Sequence, residues 1–287
     1  MNIRKDVKTV AVFGAGTMGS GIAQTFAQSG RVVLMHDAKP GAVDHALIQI
    51  ESSLEKFVSK GKLDAVTASA TRSRLKPASV ADTKAADLVV EAVFEDPAVK
   101  RELWRELNGV LPPDVVFASN TSSISISELA AASRRPAQFI GMHFFNPVPL
   151  MSLVEVVVGL QTAEPVVQFT MDLARQLGKT PMRVKDHPGF VSNRVLMPMI
   201  NEAVGALAEG VADAETIDNV MKLGCNHPMG PLALADLVGL DVCLNILEVL
   251  HRDLGEDRYR PNPLLRTMVR AGLLGKKTGK GFYAYGH

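Results

Sequence analysis

Only two cysteines, Cys225 and Cys243, occur in 287 residues. They are too few for a disulfide framework, and neither has a neighbouring thiol at metal-ligand spacing. Both read as small apolar residues, and no metal site is expected. Charge of one sign is equally scarce: 31 Lys plus Arg against 30 Asp plus Glu leave a formal charge of +1. That balance gives no broad electrostatic footprint for nucleic acid or an anionic membrane. No apolar run reaches bilayer-spanning length, and the opening MNIRKDVKTV has neither an apolar stretch nor a small-residue cleavage site. The expectation is therefore a cytoplasmic protein with no membrane partner. Internal repeats and low-complexity tracts are lacking too. What is abundant is core material, with 47% hydrophobic and 21% charged residues, the composition of a globular chain. Single cores stop growing at roughly 250–300 residues, so two domains are expected.

The first half alternates β-branched runs with helical stretches, the pattern of a parallel sheet covered on both faces. Thr9 to Phe13, Arg31 to His36, Asp87 to Val93 and Val115 to Ser119 are the clearest strands. Phe139 to Phe144, Leu153 to Val158 and Pro181 to Val184 extend the sheet. A helical excursion from about Gly41 to Leu75 exceeds what a simple crossover needs and invites a ligand-binding role. From His187 onward Phe190, Val191, Val195, Leu196, Met199, Ile200, Ala203, Val204 and Leu207 recur at helical spacing. The expected division is residues 1–186, a sheet domain, and 187–287, a helical one.

Gly14-Ala15-Gly16-Thr17-Met18-Gly19 follows the first strand and opens a helix. The first glycine permits the turn, the second admits a pyrophosphate to the backbone, and the third lets helix and strand pack closely. Asp37 ends the second strand, where a carboxylate accepts from both ribose hydroxyls and repels a 2′-phosphate, which favours NAD over NADP. Lys39 close by weakens that preference. The fold class is accordingly α/β, a Rossmann-type doubly wound, mainly parallel sheet with an inserted helical pair, followed by an all-α C-terminal domain.

Oxidising an alcohol by hydride transfer needs a base for the hydroxyl proton and a group to steady that base once charged. Ser119-Asn120-Thr121-Ser122-Ser123 follows a strand at the carboxyl edge of the sheet. His143 ends the next apolar strand, and Glu155 is the only charge between Leu150 and Val158, so it needs a partner in an apolar setting. A carboxylate beside an imidazole fixes its tautomer, which makes the two natural partners. The plainer alternative is a satisfied core histidine and a solvated edge acid. His187 and His227 compete as bases, but both adjoin proline, where a turn or capping role is the simpler account.

The chain resembles the 3-hydroxyacyl-CoA dehydrogenases, in particular the bacterial 3-hydroxybutyryl-CoA type. The likeness rests on VAVFGAGTMGSGIAQ, DLVVEAVFED, ASNTSSISIS, GMHFFNPVPLMSLVEVV, DHPGFVSNRVLMPMINEA, HPMGPLALADLVGLD and LGKKTGKGFYAYG, in order over nearly the full length. It implies NAD-dependent interconversion of an (S)-3-hydroxyacyl-CoA and a 3-ketoacyl-CoA such as acetoacetyl-CoA. It implies that His143 is the base, Glu155 its orienting carboxylate, and Ser122 and Asn193 the hydrogen-bonding partners of the reacting oxygen. Glu95, Lys100 and Asn120 would line the nicotinamide half of the cofactor, with Lys277 from the C-terminal tail; Ser53 and Lys60 would contact CoA. The last two, seven residues apart, would share one face of the inserted helix. Ile124, Ile126 and Ser192 depart from the usual family residues without removing a functional group. A dehydrogenase of a free 3-hydroxy acid or sugar acid, and a catalytically silent dinucleotide-binding protein, are the rival readings. The leucines at 232, 234, 237, 240, 244 and 247 exceed what a hundred-residue helical domain is expected to bury alone. A homodimer through that domain is therefore expected, as the resemblance also implies.

Overall fold

The computed structural model describes residues 3–4 and 6–286; Met1, Asn2 and Lys5 of the opening segment and the final His287 lie outside the described residues. The chain divides into two compact units, one ending at Asp186 and the other beginning at His187.

In the first unit the described strands are β1 (Thr9–Phe13), β2 (Val32–His36), β3 (Leu75–Pro77), β4 (Leu88–Glu91), β5 (Val116–Ser119), β6 (Phe139–Phe144), β7 (Leu153–Val158) and β8 (Thr180–Lys185). They form one sheet in the order β3-β2-β1-β4-β5-β6-β7-β8. Each neighbouring pair is parallel except β6 with β7. The helices are α1 (Thr17–Gln28), α2 (Ala42–Ser59), α3 (Ala65–Ser73), α4 (Pro97–Val110), α5 (Ile126–Ala132) and α6 (Glu164–Gln176). Every position of β5 and β6 is buried, as strands covered on both faces must be. The single tryptophan, Trp104 on α4, stacks on Phe117 at 4.9 Å and meets Phe139 edge-on at 4.8 Å, fixing helix to sheet. α4 starts where Asp96 accepts from the amides of Ala98 and Val99 and Pro97 takes the first helical position.

Several details differ from the sequence reading, among them β4, which stops at Glu91, short of the expected Val93. The edge strand β3 went unforeseen because Leu75-Lys76-Pro77 is three residues long, offers no alternation, and contains the proline that only an edge tolerates. Lys60 lies one residue beyond the end of α2, so Ser53 and Lys60 are not two turns of one uninterrupted helix.

The strand order reverses at β1: the chain proceeds outward to β2 and β3, then returns to β4 on the other side. Such a reversal opens a crevice at the carboxyl ends of the two central strands. The loops after β1, β4, β5 and β6 all leave the sheet at that edge.

The second unit comprises α7 (Ser192–Ala208), α8 (Ala214–Gly224), α9 (Pro231–Val238), α10 (Leu240–Leu254) and α11 (Pro263–Arg270), packed around Ile200, Leu232, Leu240, Leu247, Leu250 and Leu265. Its leucine stripe is better covered than composition suggests. Leu232, Leu240 and Leu247 are fully buried, Leu234 and Leu244 pack against the same core, and only Leu237 is half exposed. Two buried carboxylates organise the unit. Asp218 accepts from the amides of Leu232 and Ala233, capping α9, and from the Tyr283 hydroxyl. Asp236 accepts from the amides of Phe282 and Tyr283 and from the Tyr285 hydroxyl.

Candidate active site

At the carboxyl end of β1 the backbone turns through Gly14, whose φ is +98° and whose amide donates to the His36 carbonyl at 2.8 Å. A Cβ there would lie 2.3 Å from the Ala92 carbonyl oxygen, and one on Gly19 would lie 1.8 Å from the Gly14 oxygen. Gly16 differs, because a Cβ there would meet nothing within 4 Å. Two glycines thus serve packing, and the middle one keeps the approach to the amino end of α1 clear of side-chain atoms. The first turn of that helix, at Thr17 and Met18, carries no acidic residue. Unpaired amide hydrogens and the positive helix end make such a terminus a seat for a pyrophosphate. Asp37 stands beside the turn: Oδ2 accepts from the Ala15 amide at 2.7 Å and Oδ1 from the Lys39 amide at 2.8 Å. A carboxylate has about four acceptor positions, so two remain for ribose hydroxyls. These residues fit a dinucleotide.

β6 and β7 run antiparallel with His143 directly opposite Glu155, so both side chains rise from the same face. His143 Nδ1 and Glu155 Oε2 are 2.8 Å apart, both residues are buried, and the Phe145 ring tilts against the imidazole at 4.6 Å. An ionised carboxylate only accepts, so the bond fixes the proton on Nδ1 and makes Nε2 the nitrogen that exchanges protons.

The serine-rich loop after β5 is folded around Glu95. One carboxylate oxygen, Oε1, accepts from the Thr121 hydroxyl at 2.6 Å and from the amides of Ser122 and Ser123 at 2.9 and 3.2 Å. Asn120 joins this loop to the histidine strand, its Oδ1 accepting from the Phe144 amide at 2.9 Å. Lys100 is placed beneath the site instead of on its surface. It is 1% exposed, with Nζ 2.5 Å from Glu91 and 3.0 Å from Glu95. Glu91 also accepts from the Ser119 hydroxyl at 2.6 Å and from the Val93 amide. Burial pushes the Glu91 carboxyl above its usual range even against Lys100. Burial acts upward on Glu95 as well, but Lys100 and the loop's donors outweigh it and hold Glu95 below that range. Lys100 follows the same logic: desolvation lowers it, and the two carboxylates together raise it above the ordinary lysine value.

Glu91 was not singled out in the sequence, although the signal was present. It is a lone charge in the apolar run Leu88 to Val93, the feature that marked Glu155. Asn146 was missed too; with Ser53 it lines a groove of about 140 Å³ between α1, α2 and the turn at residues 146–149. Lys60 does not line that groove and is exposed. Asn193 and Lys277 belong to the second unit. Asn193 is buried in the first turn of α7, and Lys277 is paired with Asp241 at 2.5 Å. His187 is exposed, and His227 is used through its backbone amide, which donates to the Met221 carbonyl.

The first unit matches the family model described as 3-hydroxyacyl-CoA dehydrogenase, NAD binding domain, over residues 9–187, and the second the C-terminal domain of the same family over residues 189–285. A probable 3-hydroxybutyryl-CoA dehydrogenase of Deinococcus radiodurans is 55% identical over 274 residues, covering 96% of this chain and 99% of the relative. The 3-hydroxybutyryl-CoA dehydrogenase of Clostridioides difficile is 48% identical, with 96% and 99% covered. The crystal structure of (S)-3-hydroxybutyryl-CoA dehydrogenase from Ralstonia eutropha superposes with a TM-score of 0.94 at 49% identity, covering 98% of this chain and 100% of that one. With both family domains in sequence and a glycine turn, crevice and histidine–glutamate pair in the fold, this chain belongs to the 3-hydroxyacyl-CoA dehydrogenase family.

Proposed function

We propose that the chain interconverts (S)-3-hydroxybutyryl-CoA and acetoacetyl-CoA, with NAD as the redox partner. The observation that carries the chemistry is the 2.8 Å bond between His143 and Glu155, at the same sheet edge as the glycine turn. NAD, when bound, supplies the two-electron acceptor for the hydrogen on C3. The hydrogen on C3 leaves with both bonding electrons, and the chain's own part is to move the hydroxyl proton. His143 Nε2 takes it from the 3-hydroxyl, and Glu155, bonded to Nδ1, offsets the positive charge that forms. In the reverse direction the imidazolium returns that proton to the ketone oxygen.

Ser122 and Asn193 are proposed to hold the reacting oxygen. Glu95 and Asn120 shape the nicotinamide side, Lys100 sets Glu95 from below, and Lys277 contributes from the tail. Ser53, Asn146 and Lys60 are the proposed CoA contacts. A homodimer through the helical unit is supported by exposed Val220 and Leu223 on α8 and Leu237 on α9; the leucines already buried within the unit do not bear on it. Among the described residues no helix is long and apolar enough to cross a membrane. A cytoplasmic location accords with the use of NAD and a CoA thioester.

Oxidation of NADH by acetoacetyl-CoA is the direct test. His143→Ala should lower kcat by about 10²–10⁴ while leaving NADH affinity within a factor of about two, since positioned proton transfer contributes on that order. Turnover of free acetoacetate as efficiently as of the thioester would reject the CoA assignment, and undiminished kcat in His143→Ala would reject the base.

A further inference from the structure

A dinucleotide seated where strand order reverses lies across the reversal, one half to each side. Asp37 follows β2 on one side of the glycine turn, where its free acceptor positions suit the adenosine ribose. The nicotinamide end then falls on the other side, over the loops that leave β4 and β5 in the direction of β6 and His143. Those loops carry Glu95 and, beneath it, the buried pair of Glu91 and Lys100. The charges do not balance, because two carboxylates share one ammonium.

The sharing is unequal. Lys100 Nζ lies 2.5 Å from Glu91 and 3.0 Å from Glu95, and the Glu91 side chain is 0% exposed against 28% for Glu95. Charges attract more strongly out of water, so the closer, drier partner takes most of the ammonium's charge. Every neighbour of the Glu91 carboxyl is placed to donate. Oε1 accepts from Lys100 and from the Val93 amide at 2.9 Å. Oε2 accepts from the Ser119 hydroxyl at 2.6 Å, whose oxygen in turn takes the Thr121 amide at 3.3 Å. Such a set of donors suits an ionised carboxylate. Glu95 is ionised too, with the Thr121 hydroxyl and the Ser122 and Ser123 amides converging on its Oε1. One negative charge is left over, on the carboxylate that still reaches solvent at the carboxyl edge of the sheet.

The two forms of the cofactor differ in a way that this charge senses: the pyridinium ring of NAD⁺ is positive and the dihydropyridine ring of NADH is neutral. We propose that Glu91, by holding Lys100, leaves the charge of Glu95 uncompensated beside the nicotinamide ring, and is thus a positioning residue that sets affinity for NAD⁺ relative to NADH. This rests on the reading above that the nicotinamide end lies at Glu95. With a neutral side chain at position 91, Lys100 would pair with Glu95 alone and the excess would vanish.

The test titrates NAD⁺ and NADH, at mildly alkaline pH, onto wild type and Glu91→Gln, which keeps the side chain's size without its charge. The ratio of Kd for NAD⁺ to Kd for NADH should rise about five- to thirty-fold, the order expected of one unit charge acting across several ångströms of protein, with Kd for NADH within about three-fold. Glu91→Gln/Lys100→Met has the net charge of the wild type again, and its ratio should return to within about three-fold of the wild-type value. An unchanged ratio in Glu91→Gln, an equal loss of both affinities, or a double variant that stays shifted would each overturn the assignment of Glu91. If Glu91→Gln does not fold, the wild type alone decides. It should bind NAD⁺ at least about five-fold more tightly than benzamide adenine dinucleotide, the uncharged aromatic counterpart, and equal affinities would overturn the proposal. Glu95→Gln with both dissociation constants unchanged would instead show that the nicotinamide end does not lie at Glu95.

Discussion

Lys100 is a single buried ammonium shared by the fully buried Glu91 and the partly exposed Glu95, and its removal has a calculable sign. Lys100→Met strands Glu91 and Glu95, and breaking a buried ion pair on one side costs about 3–5 kcal/mol. In the wild type Glu95 is held below the usual carboxylate range. Its contribution to stability is therefore complete above that range and is lost as pH falls through its lowered pKa. In the variant, burial without a counter-charge should raise both carboxyls, so stability should instead decline as pH rises through the carboxylate range. Melting temperatures of the two proteins from acid to neutral pH should diverge with increasing pH; parallel curves would rule out this account. Glu155→Gln asks a different question at the same scale. The amide cannot stabilise an imidazolium as a carboxylate does, so the pH–rate profile should move and kcat should fall. An unaltered profile would separate Glu155 from the chemistry.

The element that rewards mutation most is the turn from β1 into α1, because its three glycines have different work. Gly16→Ala should leave the melting temperature within the small range of a benign substitution, about 0.5 kcal/mol, since a methyl group there meets nothing within 4 Å. It should nevertheless weaken NADH binding by standing in the ligand's approach. Gly14→Ala faces a φ of +98° and a carbonyl at 2.3 Å, so it should destabilise the fold by several times that amount. Thermal melts and NADH titrations on the two variants would show whether the two effects separate in this way. Much at this scale was legible in the sequence: β6 and β7 have the bounds that apolar runs suggested, and the opening motif sits between strand and helix. What escaped did so for physical reasons. β3 is too short to show a period. The antiparallel sense of β7, which puts Glu155 opposite His143, is a property of the chain's path and not of any local pattern. Lys100 was expected at the cofactor site through the resemblance alone, because nothing in its own helix shows that Glu91, nine positions back on a strand, turns inward to meet it.

For the molecule as a whole, the last residues are structural. The Asp236 carboxylate accepts from two backbone amides and a phenol of the segment ending at Tyr285, and a Cβ on Gly281 would strike it at 1.9 Å. Asp236→Ala leaves those part-buried donors without their acceptor, at roughly 1–3 kcal/mol each where no water replaces it. The tail should become the first site of limited proteolysis, while the sheet unit keeps its protection; an equally resistant tail would show that other contacts hold it. Light scattering at micromolar concentration should return twice the mass of one chain if the exposed α8 and α9 side chains meet a second copy. Leu223→Glu should then shift that value toward one chain, and a monomeric wild type would remove the dimer.

The pairing of β6 with β7 carries a consequence for how this protein can vary. Residues on a strand alternate between its two faces, so inserting one amino acid between Leu153 and Glu155 with the downstream ladder intact would turn either the acid or the residues ahead of it to the other side. The neighbourhood of the imidazole is thus protected by a counting rule. Side chains there can be exchanged for others of similar bulk, and the connecting turn can change length, but the number of residues from strand start to carboxylate is fixed.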